Sequence, residues 1–77
     1  SIAGIRLAVM FRDLGHGKVK VSFRSVAGVN VNVLARRFGG GGHARASGAL
    51  IAGSLAEVEA RVLGEARHLL ETGALAD

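Results

Sequence analysis

Gly39-Gly40-Gly41-Gly42-His43 interrupts the chain between a short helical pattern ending at Phe38 and a small, apolar run beginning at Ala46. Glycine loses more conformational freedom on folding than any other residue, so a fold that keeps four in a row has a use for them. Without Cβ atoms, successive N–H groups can converge on one concavity, a nest that favours anions such as phosphate. The plainer alternative is a helix stop followed by a tight turn that holds no ligand. The segments on either side decide what kind of fold the run serves.

Upstream, Val31, Leu34, Ala35 and Phe38 recur at the spacing of one helix face. Asn30 suits the cap of its first turn, and Gly39 suits a left-handed stop. Arg36 and Arg37 fall on the far side. Further upstream the period changes to two. Ile5, Leu7, Val9 and Phe11 alternate with Arg6, Ala8, Met10 and Arg12. Val19, Val21 and Phe23 alternate with Lys18, Lys20, Ser22 and Arg24. These are half-buried strands, joined through a hairpin loop over residues 13–17. Downstream, residues 46–52 form a third strand that Gly53 ends. Ser54 and Glu57 make a capping box for a helix over residues 55–71, with Leu55, Val58, Val62, Ala66 and Leu69 as its buried stripe. Glu57 with Arg61, and Arg67 with Glu71, are spaced as solvent-side ion pairs. Gly64 marks close packing or a weak spot. The order predicts an α+β fold: a small, mainly antiparallel sheet with two helices on one face, and a glycine-rich loop between the short helix and the third strand.

The chain of 77 residues holds a single domain, 1–77. It starts at Ser1 with its only Met at position 10, so it is expected to be an excised piece of a longer protein. The absence of cysteine excludes disulfides and thiolate zinc sites. No apolar run has the length of a membrane span, so no membrane partner is expected, and a cytoplasmic location fits. Charge is uneven: residues 1–49 hold eight Lys or Arg against Asp13, whereas residues 50–77 hold two against five acids. A basic segment beside a mildly acidic helix suggests an anionic partner on one side of the domain.

Phe38-Gly39-Gly40-Gly41-Gly42-His43 followed by Ala46-Ser47-Gly48 resembles the FGGGGH-x-x-A-A-G signature of the DHH-associated domain, the C-terminal half of DHH phosphoesterases. Val21-Ser22-Phe23-Arg24-Ser25 resembles the family's V-S-hydrophobic-R-S strand, and residues 31–35 its short helix. The likeness runs from about residue 5 to residue 72 and is closest to the nanoRNase and pAp phosphatase group, with RecJ and cyclic-di-AMP phosphodiesterases more distant. Ser47 stands where the family usually has Ala. The resemblance implies a substrate-binding domain. It would clamp short single-stranded RNA or DNA, or a nucleotide such as pAp, against an N-terminal DHH catalytic domain of the same protein. It also implies manganese in that catalytic half and a parent enzyme that is a phosphoesterase, an exonuclease or oligoribonuclease.

The substrate-binding candidates are Arg24, Gly39, Gly40, Gly41, Gly42, His43 and Arg45, with no catalytic residue, no cofactor and no metal ligand expected in this chain. A two-metal site needs several converging ligands, whereas Asp13 is isolated and the glutamates fall on a helix surface. For His43 the competing reading is a side chain that pins the loop to the backbone. For Arg24 it is a solvated strand residue like Lys18 and Lys20. No Lys-Ser or Lys-Thr follows the glycines, which excludes a nucleotide-triphosphate P-loop. Phe11, Phe23 and Phe38 lie on apolar faces, and there is no Tyr or Trp, so base-stacking platforms are not expected. Two other functions stay open. One is a tRNA-binding domain of the alanyl-tRNA synthetase type; the other is a structural or dimerisation module, since an exposed sheet edge permits a homodimer.

Overall fold

The computed structural model describes residues 6–77. Ile5, which the alternation places at the head of the first strand, lies outside them. The described residues form β1 (Leu7–Gly15), β2 (Lys18–Ser25), α1 (Val31–Arg36), β3 (Gly41–His43), β4 (Ala46–Ala52) and α2 (Leu55–Thr72). The sheet has four strands in the order β1-β2-β4-β3, every neighbouring pair antiparallel. The α+β architecture is the one expected, with β3 as an additional strand inside the glycine run.

Alternation sends Val19, Val21 and Phe23 of β2 inward, opposite Ile51, Ala49 and Ser47 of β4. All six are buried. Both helices close over that face: Val31, Leu34 and Ala35 of α1 join Val58, Val62, Ala66 and Leu69 of α2 in one core cluster. Leu55, expected in the same stripe, stays 36% exposed as the first residue of α2. Gly64 is exposed with open space around it, so no close approach explains it.

The β1–β2 connection is tighter than the five-residue loop expected. His16 and Gly17 form a two-residue turn with positive φ at both positions, as type I′ hairpins require. A bulge between Asp13 and Gly15 absorbs the extra residue, and the Gly15 N–H donates to Asp13 Oδ1 at 2.9 Å.

Both helix starts follow the sequence. Asn30 Oδ1 accepts from the Asn32 N–H at 3.0 Å. Ser54 Oγ accepts from the Glu57 N–H at 3.1 Å while Glu57 Oε1 accepts from the Ser54 N–H at 2.9 Å. The Ser54 N–H, then its hydroxyl, holds the Glu57 carboxyl below its ordinary range. Neither expected i,i+4 pair on α2 closes to ion-pair distance. Arg61 instead lies over the Phe38 ring, 5.8 Å from its centroid, and Arg37 reaches Glu65 at 3.5 Å.

Beyond α2, Gly73 takes a left-handed cap and turns the chain back. Leu75 enters the core at 1% exposure, its carbonyl accepting from the Asn30 N–H at 2.7 Å. The last residues therefore belong to the packed domain.

Candidate functional site

The helices leave the second face of the sheet uncovered. Register assigns its side chains in rows that cross the strands. The first row runs Ala8, Arg24, Ala46, His43; the second Met10, Ser22, Gly48, Gly41; the third Arg12, Lys20, Leu50. Lys18 and Ala52 follow at the hairpin end. The middle of this face is a floor of small residues, and the chain's acids lie off it: Asp13 at the bulge, four glutamates on α2, and Asp77 at the end of the chain.

Arg24 and His43, nineteen positions apart in sequence, thus share one row. Only Ala46 of β4 separates them, so their backbones stand two strand spacings, about 10 Å, apart. Both are exposed. Arg24 Nη1 donates to its neighbour's carbonyl, Phe23 O, at 2.9 Å, which fixes one edge of the guanidinium and leaves further donors available. β3 is an edge strand, and an edge strand carries alternate N–H groups without a strand partner. An anion lying across this row can meet a guanidinium, an imidazole and free backbone amides together.

The glycine run is not a nest. The Gly39 N–H donates to Arg36 O at 3.1 Å and the Gly40 N–H to Ala35 O at 2.9 Å, the pattern of a Schellman cap on α1. Residues 41–43 then extend along β4, and successive amides of a strand point opposite ways. Three of the glycines have structural reasons. Gly39 takes φ +78°. A Cβ on Gly40 would collide with the Gly48 carbonyl and stand 2.7 Å from Ala49 Cβ; one on Gly42 would stand 2.7 Å from Ser47 Cα. Gly41 has no such constraint, since its Cβ would meet only Asn32 Oδ1 at 3.7 Å. That Asn32 oxygen is the one buried side-chain polar atom without a partner among the described residues, an available acceptor beside the run.

Arg45 does not join Arg24 and His43. Its Nη1 donates to Val26 O at 2.7 Å and to Val29 O, and its Nη2 pairs with the Asp77 carboxylate. The guanidinium expected to contact substrate is instead a clasp between the loop after β2 and the end of the chain. Ser25 has a similar part: its hydroxyl donates to Val29 O at 2.5 Å and lies 3.2 Å from Ala44 O. Ser47, the departure from the signature, is accommodated because its buried hydroxyl donates to Val31 O at 2.9 Å. Strand alternation places Arg12 and Lys20 on the same open face as Arg24, but sequence reasoning took Lys20 as solvated charge and counted neither as a site residue.

The chain matches the DHHA1 domain over residues 1–72. It is a DHHA1 domain, the DHH-associated C-terminal domain of DHH-family phosphoesterases. Membership implies a DHH catalytic domain as its partner in the same protein. No curated protein matches the chain. Among the described residues of this DHHA1 domain, no three His, Asp or Glu side chains cluster as metal ligands. No helix among the described residues is long and apolar enough to cross a membrane.

Proposed function

We propose that the open face of this DHHA1 domain holds one end of a short nucleic acid, or a nucleotide such as pAp, for hydrolysis by the DHH catalytic domain. The observation that carries the reading is the shared row of Arg24 and His43 beside the free edge of β3. Arg24 supplies a forked, permanently charged donor suited to a terminal phosphate. His43 adds a ring N–H, and the β3 backbone lets the phosphate approach closely at Gly41. Recognition runs through phosphate rather than base stacking, in keeping with the absence of Tyr and Trp. The domain contributes orientation: a substrate held by its end presents a defined phosphodiester to the metal-bearing half. Any metal chemistry resides in that half.

The test is a titration of a 5′-phosphorylated dinucleotide into the isotope-labelled chain, following the residue 39–42 amides and the His43 ring by NMR. Saturable shifts confined to this row and the adjoining β3 glycines are expected, with affinity reduced about tenfold or more in Arg24→Ala, as loss of a charge-assisted hydrogen bond entails. Unchanged affinity in both Arg24→Ala and His43→Ala would remove the clamp.

A further inference from the structure

The proposed clamp uses only the first row of the open face. The hairpin end of that face carries chemistry which a single terminal phosphate leaves unused. Arg12 and Lys20 stand opposite each other in the third row, and Lys18 follows one row on. None of the three has an ion-pair partner among the described residues. Around them, Met10 is 56%, Leu50 58% and Leu14 45% exposed, and exposed apolar side chains gathered on one face are informative in a way that scattered ones are not. Two shallow depressions meet here. One, of about 520 Å³, is lined by Arg12, Leu14, Lys20, Gly48 and Leu50 with their neighbours. The other, of about 320 Å³, is lined by Met10, Phe11, Arg12, Lys20 and Ser22. Arg12 and Lys20 border both.

We propose that this end of the sheet is a second subsite, in which Arg12 and Lys20 take an internal phosphate of a single strand while Met10 and Leu50 give apolar contact to a base. The inference rests on the clamp reading and extends it. Arg24 and Lys20 lie four positions apart along β2, about 13 Å at ~3.3 Å per residue. The floor between them is Ser22, Gly48, Ala46 and Gly41, without bulk or negative charge, so a strand can lie along it. A mononucleotide anchored at Arg24 ends over that floor; a chain of a few nucleotides reaches the second cluster. The face thereby favours oligonucleotides over mononucleotides, and its length preference is set by the distance between two cationic rows.

The experiment measures binding of a nucleoside 3′,5′-bisphosphate and of a 5′-phosphorylated pentanucleotide to the chain across a range of salt concentrations. The pentanucleotide is expected to bind about tenfold tighter or more. In Arg12→Ala/Lys20→Ala its advantage is lost and its log–log salt slope becomes shallower by about 0.7, the contribution of one phosphate contact on a single strand, while bisphosphate affinity holds. Arg36→Ala/Arg67→Ala, which removes the same charge from exposed positions on the helices, is expected to change neither. Equal affinities for the two ligands would overturn the second subsite and leave the clamp standing. So would equal losses in the two double variants, since net charge alone would then account for the effect. Absence of binding by both ligands would remove the clamp and the subsite together.

Discussion

Along β2, Val19, Val21 and Phe23 enter the core while Lys18, Lys20 and Arg24, one residue away in each case, stand in solvent on the other side of the same sheet. The two faces share a backbone and a register. What separates them is that α1 and α2 have side chains to bury against only one. On the covered face, the side chains fill the core, and the one buried hydroxyl among the described residues, Ser47, donates to Val31 O. On the open face, size is minimal in the middle and positive charge collects at both ends. A small domain has little surplus stability, roughly 0.05–0.15 kcal/mol per residue, so its covered face cannot be spared for binding; the open face contributes little to folding and is free to be shaped by a ligand.

The sharpest test of this division uses adjacent residues. Phe23→Ala removes a fully buried ring and is expected to cost about 3–5 kcal/mol, a large share of the total, read as a shift of the urea midpoint. Arg24→Ala is expected to stay within ~0.5 kcal/mol of the parent in the same measurement, its effect confined to ligand affinity. Comparable stability losses would mean that the open face is part of the folding core after all.

The glycine run divides in the same way on a smaller scale. Gly40→Ala forces a methyl group into the Gly48 carbonyl and Ala49 and is expected to lower stability by about 1–3 kcal/mol, as overpacking does. Gly41→Ala meets only Asn32 Oδ1 and is expected to cost under about 1 kcal/mol, while obstructing backbone approach by a phosphate. Thermal melts of the two variants, with a nucleotide titration of Gly41→Ala, distinguish the packing glycine from the contact glycine.

The smallest effect concerns acid. The Glu57 carboxylate is held below its ordinary value of 4.5 by the Ser54 N–H and hydroxyl. A depressed folded-state pKa means the ionised form stabilises the fold above the unfolded value, and that contribution fades as pH falls through the folded one. The stability gap between the parent and Glu57→Gln is therefore expected to be full at neutral pH and to close below about pH 4.5. A gap that persists undiminished to about pH 3 would show that charge at the α2 cap is irrelevant.

Much of this was written in local patterns. Alternation placed β1 and β2 because a half-buried strand must change chemistry at every step; a small, apolar run that ends at Gly53 placed β4. Ser54 with Glu57 marked the start of α2 because only a reciprocal cap makes use of both. β3 left no such trace: Gly-Gly-His has almost no side chains to alternate, and it becomes a strand only where the α1 cap delivers it to β4. Arg45 next to the glycines looked like a ligand residue, but its partners are Val26, Val29 and Asp77, the last of them 32 positions away. Leu75 carried no periodicity beyond α2, and only the left-handed turn at Gly73 brings it under the core.

By itself, then, the order of residues determined the type of every regular element but β3, the inward face of the sheet and the membership of the DHHA1 family, because periodicity, caps and the glycine–histidine signature are local properties of the chain. The tertiary structure alone decided that Arg24 and His43 share a row, that Arg12 stands directly opposite Lys20, and that Arg45 turns instead to the end of the chain. Those relations depend on strand order and register, which arise from contacts between residues far apart in sequence and from the choice of which face the helices cover.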